Sequence, residues 1–331
     1  PSGQYGDFDA PATRGNANNL VVLNAPALAA YFTQEFNYLW GDGPGGKPDS
    51  LFGIHKPRRS PKILKVGDTN VAVKFSPDRR ATPYRETSSG LIARYLNQAQ
   101  ASIQLALFVF SEQTLADVIQ QRFQTGVDVK ALIDPSFAFR YYSEGLDLLG
   151  VTLLNNCEAE DNNRPWALAT EFMGVPNLAK GDKLHHKVAL IDDHLVITGS
   201  HNWSPAANHN NDETVLILDN PAIAAHYQRE FDRLYAVSDY GVPAWLKRKI
   251  NRQNQDCAVK TPPKPLATAV PNQLINLNQA SLSELETLPG IGPSLAQRII
   301  DARPFTALAD LERVKGIGPT KLKRLTGKVT W

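Results

Sequence analysis

The sequence is poor in the residues that staple or anchor a chain. It has two cysteines, Cys157 and Cys257, in 331 residues. One lies in a proline-rich stretch, so no disulfide framework is expected, and Cys157 reads as a small loop residue without a chemical role. No apolar run is long enough to span a bilayer, so any membrane role would be peripheral. Metal-ligand spacing is missing too. Of seven histidines, His185, His186, His194, His201 and His209 cluster without forming a His-x3-His pair, so neither a metal nor a cofactor is expected. Met173 is the single methionine and the chain opens Pro-Ser-Gly, which places the start codon, with any signal peptide, upstream. The compartment stays open, leaning to secreted or periplasmic.

What is present is an ordinary globular composition, 42% apolar, long enough for two or three domains. The net charge of +2 hides a division: residues 1–245 carry 21 Lys+Arg against 27 Asp+Glu, and residues 246–331 carry 14 against 6. The basic charge sits at the C-terminal end, which admits a polyanionic partner.

The chain also repeats itself. Residues 16–40 align without a gap to residues 211–235, with identity at 9 of 25 positions, among them Pro26/Pro221, Ala29/Ala224, Glu35/Glu230, Phe36/Phe231 and Leu39/Leu234. Two strand–helix units of common origin are expected, residues 1–60 being the C-terminal remnant of a first repeat cut inside its length. Residues 65–245 read as a second, complete repeat. Val71 to Phe75, Ile103 to Phe110, Val127 to Ile133 and Val151 to Leu154 are strand candidates, alternating with helical periodicity over 87–99, 112–125 and 141–149. That alternation predicts an α/β sandwich around a buried sheet. Residues 155–183 read as a long surface loop and residues 246–271 as a basic, proline-rich linker.

The chemistry is concentrated in residues 184–218. Two short strands, 184–191 and 195–199, are joined by a tight turn at Asp192-Asp193-His194, and period-2 alternation puts His185 and Lys187 on one face and His186 on the other. The Lys187 ammonium, the Ser200 hydroxyl and the Asn202 amide are suited to non-bridging phosphate oxygens. An imidazole can serve as nucleophile or general acid, and a carboxylate, Glu213 or Asp192, is expected to hold its tautomer.

The pattern His185-x-Lys187-x4-Asp192-x6-Gly199-Ser200-x-Asn202 resembles the signature of the phospholipase D superfamily. Glu213, the Phe75-Ser76-Pro77 opening and the segment Leu105 to Phe108 resemble its bacterial nuclease branch. The resemblance implies a mixed sheet and a metal-independent reaction through a phosphohistidine. One histidine would attack phosphorus while a second, from the other repeat, protonates the leaving oxygen. In two-repeat members the N-terminal one is usually the nucleophile, which would make His185 the acid/base partner, but the sequence does not decide the polarity. The missing N-terminal half of the first repeat is expected to be needed to complete the active site. At the aligned place in the first unit Asn18 stands where Glu213 stands in the second.

Residues 272–331 hold a shorter repeat, in which Leu288 to Ile299 recurs as Val314 to Leu325. Each Gly-Ile-Gly turn precedes a helix whose N-terminal N–H groups can take an anion. This resembles the tandem helix-hairpin-helix domain of bacterial competence DNA-receptor proteins, a small all-α module. The resemblance implies backbone contacts to DNA, without sequence preference, from Gly290, Ile291, Gly292, Ser294, Arg298, Gly316, Ile317, Gly318, Thr320, Lys321, Lys323 and Arg324. The expected function is a sequence-nonspecific DNA nuclease. A phospholipase D acting on phospholipid head groups, or a catalytically dead DNA-binding protein, are the alternatives.

Overall fold

A computed structural model describes residues 15–42, 49–160, 163–260, 275–280, 282–285 and 293–318. It also describes Leu288, Ile291 and residues 321–322, 325–326 and 328–331. Two compact units divide the chain, Pro1–Cys257 and Ala258–Trp331.

In the first unit the described elements are α1 (Pro26–Trp40), β1 (Lys62–Val66), β2 (Thr69–Phe75), α2 (Ser88–Leu96), β3 (Ser102–Leu107), α3 (Gln113–Gln124) and β4 (Asp128–Ile133). There follow α4 (Glu144–Leu148), β5 (Met173–Pro176), β6 (Lys187–Ile191), β7 (Leu195–Gly199), α5 (Pro205–His209), β8 (Thr214–Asp219), α6 (Pro221–Ala236), β9 (Ser238–Tyr240) and α7 (Ala244–Lys260). Nine described strands form one mixed sheet in the order β1-β2-β8-β7-β6-β3-β4-β5-β9. The pairs β3/β4 and β4/β5 are parallel and the other neighbours antiparallel. The mixed α/β sandwich read from the sequence is therefore the observed fold.

Alternation along the strands sends side chains to opposite layers. Ile103, Leu105 and Leu107 of β3 pack with Leu91, Ile92 and Leu96 of α2 and Leu115 and Ile119 of α3. Ala106, Leu132 and Leu190 pack on the other face with Ala224, Phe231 and Leu234 of α6. Local signals set the helix starts. The Thr87 hydroxyl accepts the Gly90 N–H at the head of α2, and the Asn220 side chain accepts the Ala222 and Ile223 N–H groups at the head of α6.

Several expectations need correction. Val151 to Leu154 is not a strand, and the supposed loop 155–183 contains β5, which extends the sheet beside β4. No strand forms over residues 19–24, which align with β8 in the repeat. The linker read from residue 246 is helical through Lys260, because proline first appears at Pro262 and the residues before it tolerate a helix. Cys157 and Cys257 are joined in a disulfide closing a separation of 100 residues, so Cys157 is not the inert residue expected. Beside it, the Gln253 amide donates to the Leu154 carbonyl and accepts the Leu154 N–H, and Leu246 is fully buried. Packing, a side-chain bridge and a covalent bond thus anchor α7 at three levels. In the loop-closure picture a disulfide over this span contributes about 4–5 kcal/mol.

The second unit contains α8 (Leu282–Leu285) and α9 (Pro293–Asp301), then a 3-10 turn at Leu308–Arg313 and further helical residues at 321–322 and 325. Leu277, Leu285, Ile299, Phe305, Leu311 and Leu325 form its core. The module is not purely helical, since β10 (Ile275–Asn276) and β11 (Val329–Thr330) pair in parallel and tie its ends together.

Candidate active site

The sheet gathers the motif at one end of its central strands. Lys187 opens β6 opposite Leu107 of β3, and Gly199 ends β7 opposite Val215 of β8. Gly199 has φ 132°, and a Cβ there would fall 2.1 Å from the Thr214 carbonyl oxygen. Glycine is therefore a steric requirement at this turn. The next residue uses the same neighbour: the Thr214 N–H donates to Ser200 Oγ at 3.0 Å. That leaves the Ser200 hydroxyl hydrogen for a ligand.

These residues line an open cavity of about 470 Å³ whose wall includes His185, Lys187, Ser200, Asn202 and Glu213. His186 does not line it; it is buried, with Nδ1 3.0 Å from Asn19 Nδ2 and Nε2 3.4 Å from Glu230. The alternation expected between His185 and His186 is thus observed. His194 pairs with Asp219 at 2.8 Å, and His209 donates to the Asp78 carbonyl. His201 is buried, and burial pushes it down to about 3.

Charge in the cavity is shaped by burial. The Lys187 Nζ donates to the His185 carbonyl at 2.8 Å and lies 4.9 Å from the Phe108 ring centre. Burial pushes its ammonium down to about 8, opposed by the charges of Glu213 and Asp134. His185 is also lowered, first by burial and then by Lys187 and His186. At neutral pH the site therefore holds a neutral imidazole beside a charged ammonium. Asn202 Oδ1 is buried without a partner among the described residues, an amide left to be satisfied by whatever enters.

Residues 92–235 match the family model described as cardiolipin synthase, phospholipase D-like domain, and residues 270–330 match the helix-hairpin-helix motif. Residues 92–235 are thus similar to the phospholipase D-like family, whose matched relatives are phosphodiester hydrolases. Among curated relatives, a mitochondrial cardiolipin hydrolase from Xenopus laevis is 26% identical over 200 residues, covering 60% of this chain and 86% of the relative. Among solved structures, the phospholipase D family member Nuc from Salmonella typhimurium is 20% identical, covers 52% of this chain and 97% of its own, and has a TM-score of 0.39. NucT from Helicobacter pylori, also 20% identical, covers 51% and 99% with the same score.

Within this phospholipase D-like domain two expected carboxylates do other work. Asp192 is not beside His185. It accepts the N–H groups of Gln100, Ala101 and Ser102 at 2.7–2.8 Å and so clamps the β6–β7 turn to the start of β3. Burial would raise its pKa, but those three donors together outweigh burial and lower it. Glu213 lines the cavity but acts on Lys187 through its charge. The partner of His185 is one the reading did not select for that role: Asn18 Oδ1, 3.1 Å from Nδ1. Residues 16–19 run beside 183–186, with the Ala17 N–H donating to the Lys183 carbonyl and the His185 N–H to the Ala17 carbonyl. The signal for Asn18 was already in the repeat alignment, which set it against Glu213.

Asn19 was missed as well. Its Oδ1 accepts from the Thr198 and Tyr227 hydroxyls while its amide reaches His186. Asn18 thus holds the imidazole in the cavity, and Asn19 the one behind it.

In the helix-hairpin-helix unit the two isoleucines named as DNA contacts are core residues. Ile291 is 4% and Ile317 6% exposed, so each side chain packs its hairpin down. Gly316 has φ 106°, and at Gly318 a Cβ would meet nothing within 4 Å, leaving that backbone open to close approach. Lys321 Nζ donates to the Gly316 carbonyl, and Arg298 donates to the Lys315 carbonyl. Gly290, Gly292, Thr320, Lys323, Arg324 and the side chain of Ser294 lie outside the described residues.

Proposed function

We propose that this phosphodiesterase cleaves DNA without sequence preference and without a metal. The observation that carries the choice of substrate is the helix-hairpin-helix match at residues 270–330, since a module of backbone N–H groups suits a phosphate chain. His185 Nε2 attacks phosphorus as the leaving P–O bond breaks, forming a phosphohistidine that water then hydrolyses. Support comes from the Nδ1 contact to Asn18 and the lowered pKa, which leave Nε2 with its lone pair. Lys187, Ser200 and Asn202 stabilise the charge on the non-bridging oxygens. His185 is the single imidazole among the described residues lining the cavity. The proton for the leaving oxygen therefore comes from a complementary phospholipase D-like half that docks on the first strand–helix unit and faces His185.

A phospholipid substrate is the second reading, favoured by the name of the Xenopus laevis relative. One experiment separates the two: deletion of residues 272–331, with DNA binding followed across a salt titration and hydrolysis of a small chromogenic diester measured beside it. Deletion is expected to weaken DNA binding, to flatten the slope of log affinity against log salt by about 2–4, and to leave diester turnover nearly unchanged. An unchanged slope and affinity would overturn the DNA reading. Inhibition by EDTA reversed by added zinc would overturn the metal-free one.

A further inference from the structure

A second phosphate position lies beside the catalytic one. Residues 183–187 run extended, with Ala17 bridging Leu184, so Lys183 and His185 are two residues apart on one side, a rise of about 6–7 Å. That matches the step between neighbouring phosphates on an extended nucleic-acid strand. Leu184 and His186 point inward and are buried.

An aromatic pair connects the two positions. The His185 ring sits 4.8 Å from Phe108, and Phe108 sits 4.7 Å from Phe137. Ser136, next to Phe137, has its Oγ 2.6 Å from Lys183 Nζ. Phe108 and Phe137 are half-buried and so keep exposed surface. The arrangement is rigid, because buried Asp134 accepts the Ser136 N–H with one oxygen and the Leu184 N–H with the other. Lys187 marks one end of the aromatic pair and Lys183 the other. Aromatic surface bracketed by cations is the pattern that binds single strands through base stacking and phosphate contacts.

We propose that Lys183 and Phe137 form a subsite for the nucleotide adjoining the scissile phosphate, Lys183 taking the neighbouring phosphate and Phe137 the base. The inference rests on the DNA reading and deepens it. It makes Lys183 a specificity-determining residue that favours a chain of phosphates over an isolated diester.

The test uses the full chain and follows the His185 ring signals by NMR, which report this cavity rather than the tail. The probes are a thymidine trinucleotide, the same trinucleotide with its flanking phosphate replaced by a neutral methylphosphonate, and an abasic version. The neutral flank is expected to weaken binding to the wild type about tenfold, the worth of one charge-assisted hydrogen bond. Lys183→Gln should bind the normal trinucleotide about tenfold more weakly and lose nothing further with the neutral flank. Lys183→Arg should recover most of the affinity, which shows that the variant site is still folded. Phe137→Leu should lose the difference between normal and abasic probes. Equal sensitivity to the neutral flank in wild type and Lys183→Gln would overturn the phosphate assignment. Equal binding of normal and abasic probes by the wild type would overturn the base assignment and favour a bis-phosphodiester without bases, as in a lipid. His185 signals that respond to none of the nucleotide probes would instead sink the DNA reading itself.

Discussion

Residues 16–40 and 211–235 share an apolar pattern and 9 of 25 residues but lie in two different surroundings. In the second copy Val215 and Ile217 are 1% exposed and Phe231 is 3% exposed. The matching Leu20, Val22 and Phe36 of the first copy are 86%, 84% and 54% exposed. The second copy forms β8 between two strands, and its helix is capped by Asn220; the first forms no strand, and Ala25 gives its helix no side-chain cap. The apolar pattern therefore records what a unit is built to pack against, while its neighbours decide whether it does. Leu20, Val22 and Phe36 are large apolar side chains left exposed in the first copy, which supports the complementary half proposed above. Even uncovered, the first unit is not idle, since Asn18 and Asn19 hold the two imidazoles of the second.

The largest expected effect tests that division of labour. With the complementary half present, His185→Ala should lower diester turnover at least about a thousandfold, and His186→Ala less than about tenfold. Comparable losses would mean that the buried imidazole, not the one on Asn18, does the chemistry. Next is the burial difference itself. Phe231→Ala should cost about 3–5 kcal/mol in urea unfolding and Phe36→Ala less than about 1; equal costs would show that the first unit is covered after all.

A subtler change makes the first unit more like the second. Asn18→Glu puts a carboxylate beside the imidazole, which favours the charged ring. The His185 pKa should rise by about one pH unit in an NMR titration, and the acid limb of turnover should move up with it. An unmoved titration would remove Asn18 from the site. The smallest effect concerns Lys187, whose ammonium is the useful form. Burial lowers it to about 8, so turnover should decline as pH rises through about 8. A flat profile to pH 10 would argue against charge stabilisation by Lys187.

Much of this was legible in the residue order. Spacing gave the His185, Lys187, Ser200 and Asn202 constellation because a strand fixes which residues share a face and Gly199 fixes the turn. The same spacing misled at Asp192, since a motif position says that a carboxylate is needed but not what it holds. Three backbone N–H groups from the β3 approach claim it, and those donors lie some 90 residues earlier in the chain. The motif likewise places Ile291 and Ile317 at the hairpin tips, and only packing shows that their side chains point inward.

By itself the sequence determined the mixed α/β fold, the alignment of residues 16–40 with 211–235, the basic charge at the C-terminal end and the grouping of His185, Lys187, Ser200 and Asn202 at one end of β6 and β7. These follow from periodicity, turns and charge, all of which act over short stretches. Only the tertiary structure decided that Asn18 orients His185, that Asp192 clamps a turn, that Lys187 is buried enough to titrate near 8, and that Cys157 meets Cys257. Each of those depends on segments distant in sequence being brought together, and on the loss of water around a charge that such contact causes.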